Sequence, residues 1–176
     1  MYENAALLNT QAIELASKGD FHEAIACFKR AISIEKFNYL LWFNLGITYR
    51  EAGDLIAAKE AVEKAYALEN KDDEVIETLA LLWFHLGNEK KALKYCHEGL
   101  MLNNKNSRLW NTFGVVLFSC KQYEKAAESF EYAVTINPYY YDALYNLRDT
   151  YSELGNEVGV KMCKAQMKQI KNSGQK

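Results

Sequence analysis

The sequence is poor in the residues and runs that mark several protein classes. Proline occurs once in 176 residues and glycine 9 times, which disfavours a turn-rich β fold and favours long helices. No apolar run approaches the length of a membrane span, about 18 residues, so no membrane-spanning helix is expected. The N-terminal stretch MYENAALLNTQAIELASKGD lacks a basic start followed by an apolar run, so no secretory signal peptide is expected. These absences predict a cytoplasmic helical protein.

An excess of charge of one sign is also missing. The formal net charge is -2 and the pI is about 6.0, so no basic field predicts a nucleic-acid partner. Hydrophobic residues make up 49% and charged residues 25% of the chain, the balance of a folded globular protein rather than a disordered one.

Catalytic and metal-binding motifs are absent from the sequence. Its four cysteines, at positions 27, 96, 120 and 163, form no C-x-x-C pair, and we expect reduced, mostly buried thiols. His22, His85 and His97 fall in three different predicted helices and belong to no metal-binding motif. We therefore expect neither a cofactor nor a metal, and no enzymatic activity by this chain alone.

The sequence does contain a repeat. Five turn signals follow one another at a constant interval, at Gly19, Gly53, Gly87, Lys121 and Gly155. A glycine at such a turn supplies the left-handed conformation that ends a helix. The residues that follow four of the turns are predicted to cap the next helix: Asp20, Asp54, Asn88 and Asn156. Each unit is thus predicted to be two helices joined by a tight turn.

Ahead of each turn, residues of the predicted packing face recur at offsets of 3, 4 and 7, the spacing of one helix face. In chain order these faces are Leu8, Gln11, Ala12 and Leu15; Trp42, Leu45, Gly46 and Tyr49; Ile76, Leu79, Ala80 and Trp83; Trp110, Phe113, Gly114 and Leu117; and Leu144, Leu147, Arg148 and Tyr151. The small residues among them, such as Gly46 and Gly114, predict close approach between paired helices.

The pattern W-x-x-L-G-x-x-Y, read at Trp42, Leu45, Gly46 and Tyr49, resembles the tetratricopeptide repeat (TPR), whose period of about 34 residues matches the interval between the turns. The resemblance implies an all-α fold: a right-handed α-solenoid of five antiparallel helix pairs. It implies one domain over residues 1–176, with repeats at about 5–38, 39–72, 73–106, 107–140 and 141–171 and a tail at 172–176. Arg148 and Lys164 depart from the family pattern, which predicts a terminal cap in the fifth unit.

In TPR proteins ligands usually lie on the concave side, against first-helix residues that point away from the packing face. The resemblance places that groove on Asn9, Ile13, Phe43, Ile47, Arg50, Glu77, Leu81, Phe84, Arg108, Asn111, Val115, Phe118, Tyr145 and Asp149. We expect the aromatic members to anchor the ligand and the polar members to orient it. For Ile47, Leu81 and Val115, burial between neighbouring repeats is an equally open interpretation.

These observations predict a non-catalytic module that binds a peptide or protein segment in a largely apolar groove, as an adaptor, chaperone-like factor or assembly scaffold. Two alternatives remain open: a self-assembling homo-oligomer, and a regulatory subunit of a larger enzyme complex. From residue 156 onward the chain holds five lysines and one acidic residue. This segment is interpreted either as a solvated end face or as a basic docking surface.

Overall fold

Ten α-helices, joined by short turns, make up almost all of residues 4–173, the part of the chain that the computed structural model describes. No β-strand occurs in that range. The first compact unit ends at Asn88 and the second begins at Glu89. The first holds α1 (Ala5–Lys18), α2 (Phe21–Ile34), α3 (Tyr39–Glu51), α4 (Leu55–Leu68) and α5 (Asp73–His85). The second holds α6 (Glu89–Leu102), α7 (Ser107–Ser119), α8 (Tyr123–Ile136), α9 (Tyr141–Glu153) and α10 (Glu157–Ser173). The prediction of an all-α chain is confirmed. Residues 174–176 of the expected tail lie outside the described residues.

The turns between paired helices adopt the left-handed backbone that the sequence predicts. Gly19, Gly53, Gly87 and Gly155 have φ of 86°, 87°, 75° and 68°. Lys121 takes the same conformation with φ 58°, although it carries a side chain. That conformation costs a residue other than glycine about 1–2 kcal/mol, so the fourth turn is held in place by the packing on either side of it.

Helix capping follows the repeat only in part. Asp54 Oδ1 accepts a hydrogen bond from the Ala57 amide at 3.0 Å, and Asn156 Oδ1 accepts one from the Gly159 amide at 3.0 Å. Asp20 makes no side-chain capping bond, so that prediction is wrong for α2, which begins through main-chain bonds such as Ala24 N–H to Asp20 C=O.

A second series of caps precedes the odd-numbered helices and was not predicted. Asn4, Asn38, Asp72 and Asn106 occupy the same position in successive repeats, and each side chain accepts a bond from an amide in the first turn of α1, α3, α5 or α7. Such a cap is worth about 1 kcal/mol. Tyr140 occupies the same place before α9 and makes no side-chain cap bond.

The first unit buries most of the faces that the helical spacing predicts, but Gln11, predicted on the packing face of α1, is exposed. Each of α1 to α4 packs on the next helix along the chain. Their shared core holds Leu8, Ala12, Phe28, Leu41 and Leu45, and Trp42 and Tyr49 pack against its edge. Full burial of a side chain such as Phe28, which is 1% exposed, contributes about 1.5–3 kcal/mol. This core fixes α1 and α3 side by side.

In the second unit, glycines decide how closely paired helices approach. Gly114 of α7 faces the Phe130 ring of α8, and a Cβ at residue 114 would lie 2.5 Å from Phe130 Cε1. In the last pair the glycine is on the other helix: a Cβ at Gly159 of α10 would lie 2.5 Å from Tyr151 Cδ2 of α9. The space that Arg148 cannot provide is therefore made by Gly159.

Lysines line the outer face of α10. Lys161, Lys164 and Lys168 stand one repeat after Ala127, Phe130 and Val134 of α8, which pack in the core of the second unit. All three lysines are exposed. Their exposure fits both interpretations of this segment, the solvated end face and the basic docking surface.

Candidate functional site

Two asparagine pairs join neighbouring odd-numbered helices. In the first unit Asn44 Nδ2 of α3 donates a hydrogen bond to Asn9 Oδ1 of α1 at 3.1 Å. In the second unit Asn146 Nδ2 of α9 donates one to Asn111 Oδ1 of α7 at 2.9 Å. The two pairs stand three repeats apart in the sequence. The predicted residues Asn9 and Asn111 are thus held by partners that the sequence reasoning missed.

Beside the first pair lies a cavity of about 290 Å³ between α1, α2 and α3. The predicted residues Ile13 and Ile47 line its sides together with Asn44. Its floor is the buried ring of Phe28, and Glu51 contributes a carboxylate at one edge. The site is mostly apolar, with polar groups at its margin, which is the usual character of a ligand pocket.

Beside the second pair lies a smaller cavity of about 110 Å³ between α7, α8 and α9. The predicted residues Val115, Phe118 and Asp149 line it with Asn146, above the buried ring of Phe130. All five of the positions that line this cavity stand three repeats after positions that line the first one: 13 and 115, 16 and 118, 28 and 130, 44 and 146, 47 and 149. The same repeat positions therefore build one cavity in each unit.

Each cavity is lined by one carboxylate, Glu51 in the first and Asp149 in the second, but the two stand at different repeat positions. Asp149 stands where the first cavity has Ile47, and Arg148 Nη2 lies 2.6 Å from Asp149 Oδ1. The Arg148 guanidinium also lies over the Tyr145 ring, 4.0 Å from its centroid. The hydrogen bond to Asp149 raises the pKa of Arg148, which keeps this group charged. Arg148, which the sequence reasoning treated as a packing departure, thus orients two predicted site residues.

The remaining predicted site residues do not share one environment. Four side chains are half-buried: Phe43, Arg50, Leu81 and Phe84. Arg108 is exposed, and Tyr145 is 47% exposed. Glu77 is only 3% exposed, so its carboxylate is an interior group of α5.

Two of the predicted aromatic anchors contact rings of their own unit. The Phe84 ring centroid lies 5.8 Å from that of His85, and the Phe118 centroid lies 5.1 Å from that of Tyr123 in an edge-on arrangement. Phe118 also packs against the core of the second unit. Its side chain therefore serves both the core and the cavity wall.

Within residues 4–173, no group of three or more histidine, cysteine, aspartate or glutamate side chains is arranged to hold a metal ion. In the same range no helix has both the length and the apolar character needed to cross a membrane.

Comparison with protein families matches three segments of the chain to one kind of repeat. One family model described as "Tetratricopeptide repeat" matches residues 5–38 and 107–140, and a second model with the same description matches residues 27–60. The matches together span just over half of the chain.

Individual relatives carry the same repeat. A TPR repeat-containing protein of Methanocaldococcus jannaschii is 30% identical over 129 residues, which is 68% of this chain and 23% of that protein. A probable UDP-N-acetylglucosamine–peptide N-acetylglucosaminyltransferase, SPINDLY of Hordeum vulgare, is 26% identical over 143 residues, 77% of this chain and 15% of that protein. The chain thus spans less than a quarter of the length of these relatives.

Among solved structures, the crystal structure of MamA superimposes with a TM-score of 0.81 at 21% sequence identity, covering 93% of this chain and 95% of that one. At this level of identity the likeness concerns the fold alone.

Proposed function

This chain belongs to the tetratricopeptide repeat family, whose fold serves as a protein–protein interaction module, and we propose that it binds a peptide or protein segment without acting on it chemically. The segment lies against the odd-numbered helices of one unit, and the chain acts as an adaptor, chaperone-like factor or assembly scaffold.

The observation that carries this proposal is the recurrence of one cavity design in both units. Each cavity has a buried phenylalanine floor, Phe28 or Phe130, and at least one branched aliphatic side chain on its wall. Each also has an asparagine pair at its side. An apolar side chain of a bound segment would fill each cavity and remove its apolar surface from water, which contributes about 25 cal/mol per Å².

The asparagine pairs add a polar contact suited to a polypeptide. A side-chain amide has two donor hydrogens and an oxygen with two lone pairs. The Asn44 to Asn9 bond uses one donor of Asn44 and one lone pair of Asn9. The remaining capacity matches the alternating N–H and C=O groups of an extended main chain, which supports a polypeptide ligand over a purely apolar one.

The second cavity supports a more specific ligand. Its carboxylate, Asp149, is held by Arg148, whereas the equivalent position of the first cavity is Ile47 and the carboxylate there, Glu51, lies at the edge. We propose that the first cavity takes an aliphatic side chain, and that the second takes an apolar side chain next to a hydrogen-bond donor or a basic group.

A matched pair of substitutions tests the binding surface. Ile13 lines the first cavity and is 48% exposed, and Ile34 at the end of α2 is 47% exposed without lining it. A peptide selected from a random array against the purified chain is expected to bind Ile13→Asp at least about tenfold more weakly, because a charge in an apolar site must be desolvated. Ile34→Asp is expected to bind it as the wild type does, and circular dichroism should show equal helix content in both. Equal affinities of the two variants would overturn the proposed site.

The non-catalytic part of the proposal is tested separately. The barley relative is a probable glycosyltransferase, and the match covers 15% of its length. Incubation of this chain with UDP-N-acetylglucosamine and the selected peptide is expected to leave the peptide mass unchanged. A mass increase of one N-acetylhexosamine would overturn the proposal that the chain is not catalytic.

We also propose a reducing, cytoplasmic location. The four cysteines are free thiols, three of them buried, which suits a compartment that does not form disulfides. Subcellular fractionation of the tagged chain should recover it with cytoplasmic markers, and recovery in an oxidising compartment would contradict the proposal.

A further inference from the structure

A groove of about 300 Å³ lies between α2 and α4 in the first unit, apart from the cavity described above. Its floor is formed by Trp42 and Tyr49 of α3. The small side chains of Ala57 and Ala61 of α4 line one wall and leave space beside the floor. A volume of this size is at the lower end of the range for small-ligand pockets. The groove can therefore hold one large side chain.

The indole of Trp42 is fixed in the same way as another indole of the chain. Trp42 Nε1 donates to the Lys36 carbonyl at 2.9 Å, and Trp110 Nε1 donates to the Asn104 carbonyl at 2.8 Å. Both bonds reach back by the same number of positions, and the two tryptophans stand two repeats apart. The two rings are therefore held by equivalent tethers in their own units.

At Trp110 the chain itself supplies a ring. Tyr132 of α8 stacks on Trp110, with ring centroids 4.6 Å apart and planes inclined by 26°. The residue two repeats before Tyr132 is Lys64, which lines the groove at Trp42. Within residues 4–173 no ring stacks on Trp42. The groove therefore leaves open the position that the Tyr132 ring occupies at Trp110.

The charges at the groove favour an aromatic side chain whose neighbours in its own sequence are acidic. Lys29 and Lys64 line the groove, with Glu60 as the one acidic lining residue in the described chain. Lys29 Nζ lies 5.8 Å from the Tyr49 ring centroid, over the floor. An aromatic residue flanked by aspartate or glutamate would place its ring on Trp42 and its carboxylates near the two lysines.

We propose that the groove between α2 and α4 is a second binding site, which takes a tyrosine or phenylalanine side chain from an acidic segment of a partner protein. The ring of the partner stacks on Trp42 in the way that Tyr132 stacks on Trp110. This site is separate from the cavity at Ile13, so an experiment can refute one of the two binding proposals and leave the other intact.

The probe is a pair of synthetic peptides, acetyl-Asp-Glu-Tyr-Glu-Asp-amide and the same peptide with serine in place of tyrosine. The titration follows the three indole N–H resonances of the ¹⁵N-labelled chain, assigned by single Trp→Phe variants. The Trp42 resonance is expected to shift with the tyrosine peptide and to require about tenfold more of the serine peptide, a difference of about 1.4 kcal/mol, which is near the upper end of what aromatic stacking contributes. No shift of Trp42 up to millimolar peptide, or equal shifts with both peptides, would overturn the proposal.

Reciprocal variants provide the controls. Lys64→Tyr supplies the missing ring from within and is expected to abolish the Trp42 shift. Tyr132→Lys opens the equivalent place at Trp110 and is expected to create a peptide-dependent shift of that resonance. Both positions are exposed, and circular dichroism verifies that both variants are folded. Retained binding in Lys64→Tyr would exclude this groove as the site.

The contribution of charge has its own control. Lys29→Glu is expected to lower the affinity for the acidic tyrosine peptide and to leave the affinity for acetyl-Ser-Ser-Tyr-Ser-Ser-amide unchanged. An equal loss of affinity for both peptides would contradict the acidic character assigned to the partner.

Discussion

Gly114 of α7 lies against the ring of Phe130 of α8, so closely that a Cβ at residue 114 would be 2.5 Å from Phe130 Cε1. This contact sets the separation of the two helices, and the phenylalanine ring is also the floor of the second cavity. Helix spacing and cavity depth therefore depend on the same pair.

Gly114→Ala is expected to lower the free energy of unfolding by about 1–3 kcal/mol, because an extra methyl group in a filled core forces its neighbours to move. Denaturant unfolding followed by circular dichroism measures the change. Gly114→Ala combined with Phe130→Leu should recover part of the loss, since the smaller side chain gives the methyl group room. An unchanged midpoint for Gly114→Ala alone would contradict the close approach.

Lys121→Gly is expected to stabilise the chain by about 0.5–1 kcal/mol. The left-handed conformation costs Lys121 about 1–2 kcal/mol, and the greater flexibility of glycine in the unfolded chain offsets part of that gain. The reciprocal variant, Gly155→Lys at φ 68°, should lose a similar amount. Thermal unfolding of both measures the difference, and a shift of the same sign in both would refute the argument.

Tyr151 is expected to titrate later than an ordinary tyrosine. Burial and the hydrogen bond to Glu131, 2.6 Å from the hydroxyl, raise the pKa of this phenol above its usual 10.0. The folded state thus favours the neutral phenol. The resulting stabilisation is fully present below pH 10 and is lost as the pH rises through the pKa of the folded state.

Ultraviolet titration of phenolate absorbance checks this prediction. Glu131→Gln should lower the pKa of Tyr151 towards its ordinary value, because the carboxylate no longer opposes ionisation. Tyr151→Phe should remove the late-titrating group. A late-titrating group that survives in Tyr151→Phe would assign the shift to another residue.

The Asn111–Asn146 bond is expected to appear as a coupling of about 0.5–1.5 kcal/mol between Asn111→Ala and Asn146→Ala in a double-mutant cycle of unfolding free energies. The same cycle on Asn9 and Asn44 should give a similar value, because the two pairs occupy equivalent positions. A coupling near zero in both cycles would show that the amides do not hold neighbouring helices together.

Most of the fold could be predicted from the sequence because it depends on spacing. The constant repeat period located the glycine turns at residues 19, 53, 87 and 155, and the offsets of 3, 4 and 7 identified buried residues such as Leu45 and Leu147. The caps at Asn38 and Asn106 also recur at that period. They were missed because the odd-numbered helices were analysed for their packing faces and not for a capping residue at the position before each helix begins.

The candidate site was predicted less completely, because it depends on pairs of side chains rather than on single positions. Asn9 and Asn111 were identified as surface positions, but their partners Asn44 and Asn146 stand on the next odd-numbered helix, one position beyond a full repeat. Glu77 shares the repeat position of Asn9 and yet is buried. Repeat position alone did not determine which of these polar groups reaches solvent.

In the fifth repeat the glycine that gives room to the facing ring lies on the second helix, α10, and not on the first, so residues of the two helices are matched to one another. Consensus engineering would put a small residue at Arg148, but the room for Tyr151 already comes from Gly159, so that change would remove the ion pair with Asp149 and gain no closer packing. Restoring a large residue at 159 alone would collide with Tyr151. Substitutions at 148, 151 and 159 are therefore expected to be epistatic, and a graft of this repeat onto another TPR scaffold should carry all three residues together.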